Sequence, residues 1–351
     1  MATWARRWRS DPPLAETATA ASGPSPSVEI TEAPFFDDVD DGPDGGRAWW
    51  IRGADGVRIR AGVWPREGAR GTVLLFPGRT EYVAKYGRAA RDLGARGYAT
   101  LAIDWRGQGI ADRATDLPLK GHVDDFADYQ VDVAGVVALA RRLDLPRPWH
   151  LIGHSMGGCI GLRALHEGLP VASAAFTGPM WGLLIPRAMR PFAWGLALGA
   201  SRLGMGHAYA PGTVRDAFVL IKPFAGNTLT RDRDMYAYML RQTRAHMDVA
   251  LAGPTMTWVL EALRDTARMA RMTPPDVPCL TFVGDNERIV DVPAIEAMMA
   301  KWPNGRLVVV PNGEHEVMMD TPNLRRWLFD EMAAHFDAHG GPEAGTQVSS
   351  G

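Results

Sequence analysis

The chain has 351 residues, 46% of them hydrophobic and 22% charged, with 38 Lys and Arg against 40 Asp and Glu. A formal net charge of -2 supplies no global field for nucleic acid or an anionic membrane, so polyanion binding is not the expected default. The only cysteines, Cys159 and Cys279, lie inside apolar runs, which suggests neither a disulfide framework nor a thiolate metal site and fits a reducing compartment.

Residues 1–33 are rich in Ala, Ser, Pro and Thr without a sustained apolar period. Such a segment cannot bury enough surface to offset the entropy of ordering it, and disorder is expected there. The opening MATWARRWRS carries paired arginines, but DPPLAETATAASGPSPS follows where an export signal needs an apolar core. No stretch reaches the ~20 apolar residues that cross a bilayer. A cytoplasmic protein is the expectation, with peripheral contact at the inner face of the membrane left open.

From residue 47 the segments AWWIRG and VRIRAGVW flank the turn Ala54-Asp55-Gly56, with Val57, Ile59 and Ala61 alternating, which predicts an antiparallel hairpin. Short apolar runs follow at 72–76, 98–104, 149–153 and 171–178, separated by segments of helical spacing. In one of these Phe126, Tyr129, Val133, Val136, Ala140 and Leu143 recur every three or four residues behind a cap expected at Asp124. This alternation predicts an α/β fold, a mostly parallel central sheet with helices on both faces.

Residues 179–274 interrupt the alternation, being rich in Met, Trp, Pro and Gly and reading as helices. Strand signals return at 277–284 and 306–311, and a helical pattern runs to about His335. The expected organisation is an α/β core over 47–178 and 275–338, a helical insertion over 179–274 and a disordered tail over 339–351. The insertion leaves from the carboxyl end of a strand, where open α/β sheets bind ligands, so a lid is expected in preference to a purely structural subdomain. Its Met180, Trp181, Leu183, Leu184, Ile185, Phe192, Trp194, Leu196 and Leu198 suit an acyl-chain pocket or a membrane-dipping face as well as the insertion's own core. Arg187, Arg190 and Arg202 stand near enough in sequence to meet a lipid phosphate, although scattered arginines more often form a solvated rim.

The chemistry concentrates at Gly153-His154-Ser155-Met156-Gly157, directly after one strand and directly before a helical segment. This is the Gly-x-Ser-x-Gly nucleophile elbow in its strand-to-helix context, with glycines where the turn leaves no room for side chains. A serine hydroxyl is a weak nucleophile and needs a base, which in turn needs an orienting acid. Asp285, Glu287 and Asp291 follow one late strand, and their order does not choose among them. His315 follows the next strand in a Gly-containing loop and is the candidate base. His154 is a variable elbow position, while His122, His150, His166, His207 and His246 read as packed or surface residues.

These motifs together resemble the α/β-hydrolase superfamily, in particular its lysophospholipase and monoacylglycerol lipase branch, over about residues 47–338. In that branch the acid lies three residues after the strand-end glycine. The run Gly284-x-x-Glu287-x-x-Val290 fits that register with glutamate for the commoner aspartate, so the resemblance implies Glu287, with Asp285 second and Asp291 third. Phe76-Pro77-Gly78-Arg79-Thr80-Glu81 is similar to the family's His-Gly-x-x-Glu loop, with proline for histidine, and Tyr82 to Tyr86 would begin the helix after it. The resemblance places the oxyanion donors at the backbone N–H groups of Arg79 and Met156.

Asp104-Trp105-Arg106-Gly107-Gln108-Gly109 resembles an Asp-x-x-Gly-His-Gly run and reads as structural, and His122 to Phe126 resembles the helix start before the elbow strand. The implied reaction is acyl transfer through Ser155, without metal or organic cofactor, on a small acyl ester or lysolipid, with no nucleic-acid partner. The competing readings are a serine aminopeptidase or generic carboxylesterase of the same superfamily and, from another class, a hydrolase-like binding protein whose triad is unused.

Overall fold

Buried apolar strands order the fold. The computed structural model describes residues 28–114 and 118–340. Its nine-stranded sheet runs in the spatial order β1-β2-β3-β5-β4-β6-β7-β8-β9. The first three strands are β1 (Glu29–Ala33), β2 (Arg47–Arg52) and β3 (Arg58–Trp64), and they pair antiparallel. The strands β4 (Gly71–Phe76), β5 (Tyr98–Asp104), β6 (Trp149–His154), β7 (Ser173–Thr177), β8 (Cys279–Gly284) and β9 (Gly305–Val310) pair parallel with one another. Strands covered on both faces must be apolar on both, and every residue of β4 to β8 is buried.

Alternate residues feed two cores. Leu74 and Phe76 point to one side, together with α2 (Asp128–Arg142), α3 (Met156–His166) and α8 (Val292–Met299). Val73 and Leu75 point to the other, with α1 (Gly87–Ala95) and α9 (Pro322–His339). Between β7 and β8 the chain passes through α4 (Arg190–Arg202), α5 (Phe218–Ile221), α6 (Arg233–Ala245) and α7 (Met256–Met269). Both cysteines are buried and free.

Three expectations change. The sheet starts before residue 47, because β1 pairs with β2 through Ile30↔Ile51 and Ala33↔Ala48, with Ile30 and Ala33 buried. A composition average over residues 1–33 hides this short edge strand, whose backbone gains partners only from a distant segment; residues 1–27 lie outside the described residues. Residue 339, assigned to a disordered tail, instead closes α9, which runs to His339, and 341–351 lie outside the described residues. Finally, α2 starts at Asp128 without a side-chain cap. Turn-like bonds from the Asp128 and Tyr129 N–H groups to Asp125 and Phe126 delay it, Asp125 accepts from the Ala127 N–H at 2.7 Å, and Asp124 instead meets His122 Nε2 at 3.1 Å.

His150 on β6 is fully buried, stacked on Phe336 of α9 at 4.6 Å and bonded through Nδ1 to Ser173 Oγ at 2.9 Å. Burial, with the neighbouring His335, depresses its pKa to about 4. The unfolded chain takes up the proton first, near pH 6.5, so stability is complete above that pH and falls until the folded group titrates near 4. Chemical denaturation from pH 7 to pH 4 should therefore show a loss of up to ~3 kcal/mol from this residue that a His150→Leu variant lacks; parallel pH profiles for the two proteins would refute the assignment.

Candidate active site

Ser155 sits between β6 and α3 with φ +50° and ψ −118°, a strained backbone held by a hydrogen bond from its N–H to the Thr177 carbonyl at 3.1 Å. Only glycine fits beside it. A Cβ on Gly157 would lie 2.0 Å from the Phe76 carbonyl oxygen, and one on Gly153 would lie 2.9 Å from the Phe176 ring. The turn lifts Ser155 to the wall of a cavity of about 500 Å³ that His315 also lines. The Ser155 hydroxyl makes no hydrogen bond among the described residues.

Of the three acids offered by the sequence, the structure brings Glu287 to His315, with Oε2 at 2.6 Å from Nδ1. The second carboxylate oxygen accepts from the N–H groups of Ile289 at 2.7 Å and Val290 at 3.2 Å. Burial would raise this carboxyl's pKa, but the hydrogen bond and charge of His315 and the two N–H groups outweigh burial and hold it below the ordinary value. Asp285 is exposed, and Asp291 pairs with Arg190 at 2.5 Å. A residue absent from the sequence reading makes room for the pair: a Cβ on Gly178, at φ +46°, would lie 3.1 Å from both Glu287 Oε2 and His315 Nδ1.

The loop after β4 leaves the donor expected at Arg79 uncommitted. The Gly78 N–H is taken by the Glu81 carboxylate and the Thr80 N–H by Gln108 Oε1 at 2.9 Å, whereas the Arg79 N–H between them has no acceptor among the described residues. Met156 opens α3, and its N–H has no intrahelical acceptor. The loop is braced from the Asp104 to Gly109 run: Trp105 Nε1 donates to the Pro77 carbonyl at 2.9 Å and Gln108 Nε2 to the Gly78 carbonyl at 3.1 Å. Asp104 in turn accepts from Arg60 at 2.8 Å, Val83 N–H at 2.7 Å and Ile110 N–H at 3.1 Å.

Beneath the cavity lies a charge cluster that sequence reasoning missed. Lys85 Nζ stands 2.5 Å from Glu81 Oε1 and 2.6 Å from Glu316 Oε1, and His154 Nε2 lies 3.3 Å from Glu316 Oε2 and 3.5 Å from Glu81 Oε1. All four side chains are buried. Burial disfavours the charge on Lys85 and His154, but Glu316 and Glu81 prevail and raise both pKa values. Burial would also raise that of Glu316, yet Lys85 and His154 hold it well below the ordinary range. His154 Nδ1 donates to the Thr177 carbonyl at 2.9 Å, so with Nε2 between two carboxylates the imidazolium fits and the charges balance. The spacing Glu81 to Lys85 and the adjacency of His154 to Ser155 and of Glu316 to His315 were the available signals.

The apolar residues of the insertion divide among the roles the sequence left open. Met180 and Leu183 line the cavity, and Trp181 is buried against Phe176 and Trp302. Ala197, Ala200, Trp194 and Leu198 pack α4 onto Met256 and Leu260 of α7. Leu184, Phe192 and Leu196 face solvent. The insertion also holds the histidine loop, since Glu316 N–H donates to the Leu229 carbonyl at 2.8 Å.

Comparison with known proteins agrees with this architecture. The chain is 30% identical over 304 residues to the lysophospholipase L2 of Escherichia coli, covering 83% of this chain and 87% of that protein. It is 29% identical over 266 residues to a probable lysophospholipase L2 of Haemophilus influenzae, covering 75% and 83% respectively. A soluble variant of monoglyceride lipase from Saccharomyces cerevisiae, solved with a substrate analogue, shares the fold with a TM-score of 0.65 at 19% identity, covering 95% of this chain and all of that one. The family described as serine aminopeptidase, S33, matches residues 67–322, and with the elbow, the parallel sheet and the inserted helices in place the chain belongs to that family of α/β-hydrolases.

Proposed function

We propose that the protein is a serine hydrolase that cleaves carboxylic esters of lipids, of the lysophospholipase or monoacylglycerol lipase type, through an acyl-enzyme. The observation that carries this reading is the acid-oriented imidazole, His315 bonded to Glu287 at 2.6 Å, on the same apolar cavity as the strained Ser155. His315 takes the Ser155 hydroxyl proton as Oγ attacks the ester carbonyl carbon, and the Arg79 and Met156 N–H groups stabilise the oxyanion. The proton passes from His315 to the leaving alcohol as the ester C–O bond breaks. Water, deprotonated by His315, then attacks the acyl-enzyme and releases the fatty acid and Ser155.

An aminopeptidase must also hold a substrate ammonium. The buried carboxylates on this cavity, Glu81 and Glu316, are already matched by Lys85 and His154, which leaves only the exposed Asp216 of the lining for an ammonium and favours the ester. The inserted helices act as a lid over the cavity. On α4, Phe192 is 63% exposed and Leu196 40%, one turn apart, beside the Ala197 and Ala200 stripe that packs on α7, and Leu203 beyond the helix is 74% exposed. That face is proposed to rest on a lipid surface, the burial of its apolar groups supplying the affinity. No helix among the described residues is long and apolar enough to cross a membrane.

Hydrolysis of matched lysophosphatidylcholine, monoacylglycerol and proline-amide substrates tests the reaction class. Ester cleavage should vanish in Ser155→Ala and fall roughly 10²- to 10⁴-fold in kcat in Glu287→Gln, with the fold retained; proline-amide cleavage without ester cleavage would refute it. Lys85→Met should lower kcat far more than it raises KM and cost about 3–5 kcal/mol of stability, because it strands two buried carboxylates; an unchanged kcat would remove the cluster from the catalytic architecture. Paired Phe192→Glu and Leu196→Glu changes should weaken vesicle sedimentation at least about tenfold while a short soluble ester is still turned over; unchanged sedimentation would dismiss the α4 face.

A further inference from the structure

Arg79 lies on the wall of the reaction cavity with no carboxylate partner among the described residues. Part of the residue is open to the cavity, while its charged end sits deep in the protein. Nη2 donates to the Ala252 carbonyl, the guanidinium carbon lies 5.4 Å from the centre of the Trp258 ring, and Nε is buried without a hydrogen-bond partner. Nη1 likewise has none among the described residues. The position is built for this group: a Cβ on Gly121 would lie 2.2 Å from Nη2, so only glycine leaves it space.

Burial pulls the pKa of Arg79 down to about 10, with only Tyr129 and Tyr209 opposing it, and the group stays cationic at neutral pH. An unmatched buried cation is costly, and a ligand anion removes that cost while gaining charge-assisted hydrogen bonds. The other buried charges on the cavity do not serve, because Glu81 and Glu316 are neutralised by Lys85 and His154. Arg190, a phosphate candidate in the sequence, is paired with Asp291.

The backbone N–H of Arg79 is also one of the two proposed oxyanion donors, so its guanidinium stands one side chain's length from the scissile carbonyl. In a lysophospholipid the glycerol carbons place the phosphodiester at a comparable remove from the ester, and a monoacylglycerol has only a hydroxyl there. The carboxylate of a released fatty acid forms at the oxyanion position itself and is too close. We infer that the Arg79 guanidinium binds the phosphodiester of a lysophospholipid and thereby selects lysophospholipids over monoacylglycerols. This rests on the ester-hydrolase reading above.

Uncleavable ether lipids test the contact without requiring turnover. Calorimetric titration of the wild-type protein with 1-O-dodecylglycerophosphocholine and 1-O-dodecylglycerol should give at least about tenfold tighter binding of the first. Arg79→Met should erase that preference, and Arg79→Lys should retain part of it. Equal affinities in the wild type overturn the inference without recourse to any variant, as does a preference that survives in Arg79→Met or an equal loss of both ligands there. If the ether preference holds while neither matched ester is cleaved in a Ser155-dependent way, the hydrolase reading fails and the anion contact stands.

Discussion

A single buried ammonium governs the geometry of the candidate site. Lys85 reaches Glu81 on the loop that carries the free Arg79 N–H and Glu316 on the loop that carries His315, and His154 of the elbow closes the cluster against both carboxylates. Three segments far apart in sequence are thereby held by ion pairs in a low-dielectric interior, where attraction is strong and a stray charge is expensive. Such clusters contribute little net stability. Their effect is to exclude alternative positions of the loops, because any displacement leaves a carboxylate unmatched.

Around this cluster the sheet supplies the remaining constraint. The parallel strands β4, β6, β7, β8 and β9 all deliver loops to one edge, and glycines remove side chains wherever these loops approach one another. Gly157 lets α3 meet the end of β4, Gly178 leaves room for the Glu287 and His315 pair, and a Cβ on Gly284 would lie 2.1 Å from the Gly313 carbonyl oxygen. Backbone strain at Ser155 is sustained because the neighbouring strands are buried on both faces and cannot relax. The cavity thus joins a charge-balanced floor to a guanidinium with no carboxylate partner among the described residues.

Much of the centre was legible because its signals are local. The elbow needs glycines at fixed offsets from its serine, and the histidine stands in a short loop after an apolar strand. The acid was not local: Asp285, Glu287 and Asp291 share one loop, and family register chose Glu287, which the fold places against His315. The α4 region was the least legible. Trp181, Leu183 and Phe192 are alike in sequence, yet they lie in the core, on the cavity and in solvent respectively, since periodicity reports a face and not what covers it. The edge strand β1 was missed for a related reason, its hydrogen bonds being made to residues about twenty positions away.

By itself the sequence determined the alternation of strands and helices, the elbow and the order in which the carboxylate loop and the histidine loop follow it, because these follow from periodicities and turn requirements that act over a few residues. Only the tertiary structure decided which charges are matched. Glu81, Lys85, His154 and Glu316 neutralise one another across three loops, and Arg79 is left without a carboxylate among the described residues. Charge compensation depends on distance and burial in space, which a linear chain does not display.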